Sequence, residues 1–191
     1  MKTEYRPYPE NLYYTSLTTE RPVFADEADK YHFLTMLGRT AQIYGIHADG
    51  FCLLDNKIHL LMDTGDTGKT AEAILRECFE ENFIAYYQFR HCDDRMLPAE
   101  SECELIWGEE EAIGCLGWLH TVPVSCGIAR RTDDYWWTSW QTYRSRYIWD
   151  FVDSKRPLAL LDEDRDKALR QLRKRQRMLL LQENGANLKR Q

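Results

Sequence analysis

The sequence predicts an α+β fold, a ferredoxin-like antiparallel sheet with helices on one face and a helical extension at its C-terminal end. Three observations lead there. Apolar residues switch between a two-residue and a 3.6-residue repeat in the order strand, helix, strand, strand, helix, strand. Cap and turn residues (Asp26, Gly45, Asp55-Asn56, Gly65 and Gly68) fall between those runs and not within them. Beyond residue 145 the charge reverses sign and a basic helical stretch follows, so the expected units are a domain of residues 1–145 and an extension of residues 146–191.

Residues 11–18 (NLYYTSLT) carry the aromatic and hydroxyl side chains of a strand, which Arg21-Pro22 ends. A helix is then predicted, with Asp26 as N-cap, Phe33, Leu34, Leu37, Ala41 and Tyr44 along one side, and Gly45 supplying a left-handed C-cap. Residues 46–54 and 57–63 read as a hairpin around Asp55-Asn56. A second helix is expected over 69–90, with Ala73, Leu75, Phe79, Phe83, Ile84 and Tyr87 on its apolar side, then a polar loop around Pro98. Residues 102–107 alternate as a fourth strand. Glu109, Glu110 and Glu111 suit the first turn of a third helix that reaches His120 and that Pro123 ends. Such a sheet packs its helices on one face and leaves the other for a ligand. In residues 133–143 (DDYWWTSWQTY) the rings either stack bases or clamp the extension onto the domain. A last helix over 162–182 carries Arg170, Arg173, Lys174, Arg175 and Arg177, as a solvated face or as an arm for nucleic acid or protein.

Composition narrows the function classes. Of 191 residues, 43% are hydrophobic and 13% aromatic, which are globular values. Nothing in the sequence approaches an 18-residue apolar run, and the opening MKTEYRPYPE has no hydrophobic signal segment, so no membrane partner and a cytoplasmic location are expected. Six scattered cysteines without a Cys-x-x-Cys pair speak against a zinc ribbon or a disulfide framework and suggest reduced, mostly buried thiols. The net charge of −6 hides an asymmetry: residues 154–191 hold 11 Lys and Arg against 5 Asp and Glu, and residues 1–153 hold 14 against 26. Any surface for nucleic acid must therefore be local.

Three stretches together resemble the single-tyrosine HUH transposases, and among them the REP-associated tyrosine transposases of bacteria. Residues 46–64 (IHADGFCLLDNKIHLLMDT) resemble that family's strand-turn-strand ending in Asn-His-hydrophobe-His-Leu-Leu. Residues 118–127 (WLHTVPVSCG) resemble its Tyr-Ile-His-x-Asn-Pro-Val-x-x-Gly. Residues 133–143 resemble its Asp-Tyr-x-Trp-Ser-Ser-x-x-x-Tyr. The resemblance spans about residues 10–145 and implies a strand-borne His pair that holds Mg²⁺ or Mn²⁺, a helix-borne tyrosine that attacks a phosphodiester, and a polar ligand one turn later.

At those four positions the chain carries Lys57, His59, Trp118 and Val122. An ammonium repels a cation, an indole has no oxygen to attack phosphorus, and one histidine does not hold Mg²⁺ or Mn²⁺, so no catalytic residue, metal or other cofactor is expected. Three readings stay open. The first is a catalytically inactive relative that binds a structured single strand, a DNA or RNA hairpin, through Lys57, His59, Arg130, Arg131, Trp136, Trp137 and the five basic residues of the last helix. The second is a protein-interaction subunit of a mobile-element or defence complex that docks through the acidic edge of residues 100–111 and the basic tail. The third is a DNA-nicking transposase with a rearranged site, with Tyr13, Tyr14, Tyr86 or Tyr87 as relocated nucleophile, or a metal held by His47, His59 and His120. The resemblance also leaves a homodimer open.

Overall fold

In the computed structural model, residues 9–93, 99–145 and 149–188 are described, with side chains as far as 183. The strands are β1 (Leu12–Thr19), β2 (His47–Leu53), β3 (Lys57–Asp63) and β4 (Ala99–Leu105). They form one antiparallel sheet in the order β2-β3-β1-β4. The predicted fold class is the one observed. The loop expected around Pro98 lies outside the described residues.

Helix α1 (Glu27–Tyr44) begins where the Asp26 carboxylate accepts from the Ala28 and Asp29 N–H groups, and ends at Gly45 with φ +66°. The second predicted helix is a rod in three parts: α2 (Ala71–Arg76), a π-helical turn (Glu77–Phe83) and α3 (Ile84–His91). Phe24, Phe33, Phe79 and Phe83 interlock between α1 and this rod, with ring centroids 5.4–5.8 Å apart. They cover the sheet face that carries Leu17, Phe51, Leu53, Ile58 and Leu60, all buried.

The opposite face, expected to be free for a ligand, is covered over half its width. Helix α4 (Gly108–Ser125) lies across its β2–β3 half, so a Cβ on Gly50 would sit 2.8 Å from Leu116 Cδ1 and 3.2 Å from Leu119 Cδ1. Pro123 does not end this helix, which runs on to Ser125. A proline near a C-terminus removes one N–H bond, but its freed neighbours find others here: the Pro123 carbonyl accepts from Ile128 and Ala129, and Gly127 at φ +73° turns the chain.

Three short elements follow that the sequence did not announce as separate: a 3₁₀ turn (Thr132–Asp134), α5 (Trp140–Ser145) and α6 (Lys155–Leu161). The last helix, α7 (Arg165–Leu188), starts three residues later and ends six later than predicted. It packs along α4 and α6. Trp137, Trp140 and Tyr143 are buried, so the aromatic segment chiefly clamps this region onto the domain. A buried polar chain crosses four layers. Ser139 Oγ accepts from Phe51 N–H at 3.0 Å, His120 Nε2 lies 2.9 Å from Ser139 Oγ, and Gln176 Nε2 lies 3.0 Å from His120 Nδ1. Every member is satisfied if His120 is neutral, accepts from Gln176 and donates to Ser139.

Only Cys52 and Cys78 are buried; Cys115 is half-buried, and Cys92, Cys103 and Cys126 are exposed, which corrects the expectation of mostly buried thiols. All are free.

Gly50→Ala tests the seating of α4. With no room for a methyl, the helix must shift, and we expect a loss of ~1–3 kcal/mol in urea unfolding. An unchanged midpoint would contradict the close packing.

Candidate nucleic-acid interface

Antiparallel pairing places Ser16 opposite His59 and Tyr14 opposite Leu61, so Tyr14, Ser16, Lys57 and His59 share the face on which α4 lies. There the Tyr14 hydroxyl lies 2.8 Å from His59 Nδ1. Trp118, on α4, sets its ring edge-on to both, with centroids 5.3 Å from His59 and 5.7 Å from Tyr14. The structure thus brings His59 and Trp118 together, as the resemblance implies, and Val122 lies buried one helical turn further along α4.

The imidazole of His59 is only 4% exposed. Burial, helped by the charge of Lys57, pushes its pKa down to about 4, while burial pushes the Tyr14 phenol up to about 12. At neutral pH this hydrogen bond therefore joins a neutral phenol to a neutral imidazole, with no phenolate at rest. Lys57 is half-buried at the start of β3 and makes no ion pair among the described residues. One imidazole nitrogen held by a phenol, an ammonium, an indole and a valine do not form a donor set that fits Mg²⁺ or Mn²⁺.

His47, His59 and His120 do not gather either. Among the described residues no three His, Cys, Asp or Glu side chains are placed to hold a metal. His120 is fully buried in the polar chain described above, and burial pushes its pKa down to about 3. Tyr86 is half-buried, bonds to the Asp29 carboxylate at 3.3 Å and stacks on His32, with centroids 3.6 Å apart.

A different surface gathers the basic residues. The loop after α4 and the outer side of α7 bring Arg130, Arg131, Arg173 and Arg177 around a cavity of about 200 Å³. A second hollow of about 250 Å³ continues it past Arg173, Arg170, Trp140 and Arg144, and a third of about 480 Å³ lies between Arg144 and Trp136. Trp136 is 51% exposed, and Arg173 lies 5.4 Å from the Trp140 ring. At the centre stands Asp133. Burial works against its charge, but a 2.7 Å bond from Trp140 Nε1 together with Arg144, Arg173 and Arg131 holds its carboxyl below the usual range. A single carboxylate thus fixes three arginines from three elements and leaves the face positive.

Not every predicted residue joins this face. Trp137 is buried, and His59 is sealed under Trp118. Arg175 is turned away and paired with Glu110, at 2.6 and 3.0 Å. Lys174 is exposed and unpaired among the described residues. Sequence reasoning missed Arg144, which stands at the end of the aromatic run, and Asp133 as the organiser. The Asp of the Asp-Tyr motif is Asp134, and Asp133 precedes it, so the motif gave no signal for this role.

No family model and no curated protein matches the chain. Among solved structures, it is similar to a REP-associated tyrosine transposase bound to a REP hairpin, with a TM-score of 0.58. The two share a fold. Only 12% of residues are identical over 80% of this chain and 93% of the transposase, so the likeness concerns the backbone, and the side chains of the site are this chain's own.

The two buried histidines fix a sign for acid behaviour. Their folded pKa values lie below the ordinary 6.5, so the unfolded chain binds more protons between that value and about 4. Their contribution is complete above pH 6.5 and is lost as pH falls below it. Asp49, which burial pushes up to about 7, acts in the opposite direction. Comparison with a His59→Gln chain cancels that opposing effect. Between pH 6 and 5 the gap in unfolding free energy should change by up to ~1.4 kcal/mol per pH unit. NMR should show both imidazoles neutral at pH 5; titration of either near pH 6.5 would refute the sealed geometry.

Proposed function

We propose that this chain binds a structured single strand, a DNA or RNA hairpin, on the arginine face formed by the loop after α4, by α5 and by α7, and that it does not cut it. The observation that carries this reading is the alignment of Arg130, Arg131, Arg144, Arg170, Arg173 and Arg177 along connected hollows beside the exposed Trp136. Guanidinium groups match phosphate in a planar, bidentate way, and an exposed indole offers a stacking surface to an unpaired base. The structurally similar transposase was solved with a hairpin, which supports the ligand class. Lys174 extends the field of α7, whereas Lys57 stands on the sheet face of His59 and is not part of this surface.

The reading that the chain does not cut is supported by what stands at the four implied positions. The indole of Trp118 stands at the implied nucleophile position, burial raises the Tyr14 phenol to about 12, and the neighbouring groups fit no divalent cation. A regulatory or accessory role in the handling of such hairpins is the function that remains.

The test is fluorescence anisotropy with labelled DNA and RNA hairpins at near-physiological salt. Arg173→Glu combined with Arg177→Glu should weaken binding at least tenfold and flatten the dependence on salt, since each lost phosphate contact lowers the slope by about one. Absence of affinity for hairpins of either kind would overturn the proposal. With Mn²⁺ and a palindromic substrate no covalent protein–DNA adduct is expected on denaturing gels; such an adduct would revive the rearranged-site reading.

A second reading, a protein-interaction subunit, is favoured by one observation. The glutamates of β4 form no ion pairs among the described residues.

A further inference from the structure

The two edges of the sheet are treated differently. Along β2 the outer backbone is capped by residues 137–139 and 151–153: Ala48 N–H donates to Phe151 O, Asp153 N–H to Ala48 O, Leu53 N–H to Trp137 O and Ser139 N–H to Phe51 O, all at 2.9–3.0 Å. Along β4 no backbone partner lies outside β1 among the described residues, and one side chain, Arg76, reaches the Ala99 carbonyl at that end.

The register says which groups are free. Ile106 N–H donates to Leu12 O, and the β1–β4 pairing steps from there through Tyr14 with Glu104 and Ser16 with Glu102. Hydrogen-bonded pairs alternate in an antiparallel ladder, so Glu100, Glu102 and Glu104 direct their N–H and C=O groups to β1. Ser101, Cys103 and Leu105 direct theirs outward. Side chains alternate in the same period. Glu100, Glu102 and Glu104 stand on the face of Tyr14 and His59, whereas Ser101 and Cys103 stand on the face of α2, where Arg76 bonds to Ser101 Oγ.

On the glutamate face the strand borders a hollow of about 500 Å³ lined by Tyr14, Glu104, Ile106, Glu111, Cys115 and Trp118. Trp107, the residue after Ile106, is 76% exposed. Aromatic rings and carboxylates together receive an alkyl stem that ends in a cation, as in lysine or arginine.

We propose that β4 is a docking edge for an extended, basic segment of a partner protein, which adds a fifth strand beside Ser101, Cys103 and Leu105. Its alternate Lys or Arg side chains lie against Glu100, Glu102 and Glu104, one of them entering the hollow by Trp118. Its intervening residues are small and face Ser101 and Cys103. Backbone pairing supplies affinity and the alternating charge fixes the register. A second copy of this chain does not suit the edge, because antiparallel pairing of two β4 strands sets glutamate against glutamate. Nucleic acid does not suit it either, since phosphate meets the same carboxylates. This surface is separate from the arginine face, so the inference does not depend on hairpin binding.

The probe is a synthetic peptide of about nine residues alternating Lys with Thr, long enough to match a strand, titrated into the full chain and followed by tryptophan fluorescence. Two analogues carry N-methyl groups on every second residue, one in each parity. We expect the parent peptide to bind, one N-methylated analogue to lose at least tenfold in affinity and the other to bind nearly as well. Glu102→Lys combined with Glu104→Lys should reduce binding at least tenfold, with the urea unfolding midpoint retained as the check on folding. Equal effects of the two methylation parities would mean attraction by charge alone and would overturn strand addition. Absence of peptide binding, or tighter binding of an oligothymidylate to the same edge, would overturn the proposal outright.

Discussion

Helix α4 can lie against the sheet because residue 50 carries no side chain, and from that contact the remainder of the molecule is built. Leu116 and Leu119 fill the space that a Cβ would claim. The helix thereby sets Trp118 edge-on to His59 and Tyr14, and carries His120 to the junction with Ser139 and Gln176. Through Gln176 it holds α7, and α7 in turn presents its arginines to the loop that leaves α4. A buried polar chain of this kind is costly when broken and specific when complete, which makes it a register device between the sheet and the C-terminal helices.

The same contact divides the chemistry of the surface. Over β2 and β3 the sheet is closed and its imidazole is dry and neutral, as burial in a low-dielectric setting requires. Over β1 and β4 it is open and acidic. The positive charge is displaced to the far side of α4, where Asp133 gathers three arginines by attraction and hydrogen bonding. A chain whose net charge is −6 thus keeps a local field suited to phosphate.

Much of the fold was legible because it rests on local signals. Asp26, Gly45 and the Asp55-Asn56 turn marked boundaries that the backbone respects. What was not legible depends on packing between distant segments. Pro123 looked like a stop, but its freed neighbours found partners in the following loop. Covering of the second face by α4 has no signature in periodicity, because a helix of nearly uniform hydropathy gives no clue to which sheet face it meets. The juxtaposition of His59 with Trp118 was accessible only through the family resemblance. Tyr14 as the partner of His59, and Asp133 as the hub of the arginines, needed the register and the fold. Burial of Trp137 beside an exposed Trp136 is a matter of which neighbour faces the core, and composition does not reveal it.

On the proposed reading nucleic acid meets the arginine face and not the sealed sheet face. The six tryptophans provide the reporters, since the indole N–H resonances of Trp118 and Trp136 lie on the two faces in question. In a titration of ¹⁵N-labelled protein with a DNA hairpin, we expect the Trp136 indole signal to move in step with saturation while that of Trp118 stays in place. Movement of Trp118 with Trp136 unchanged would contradict it.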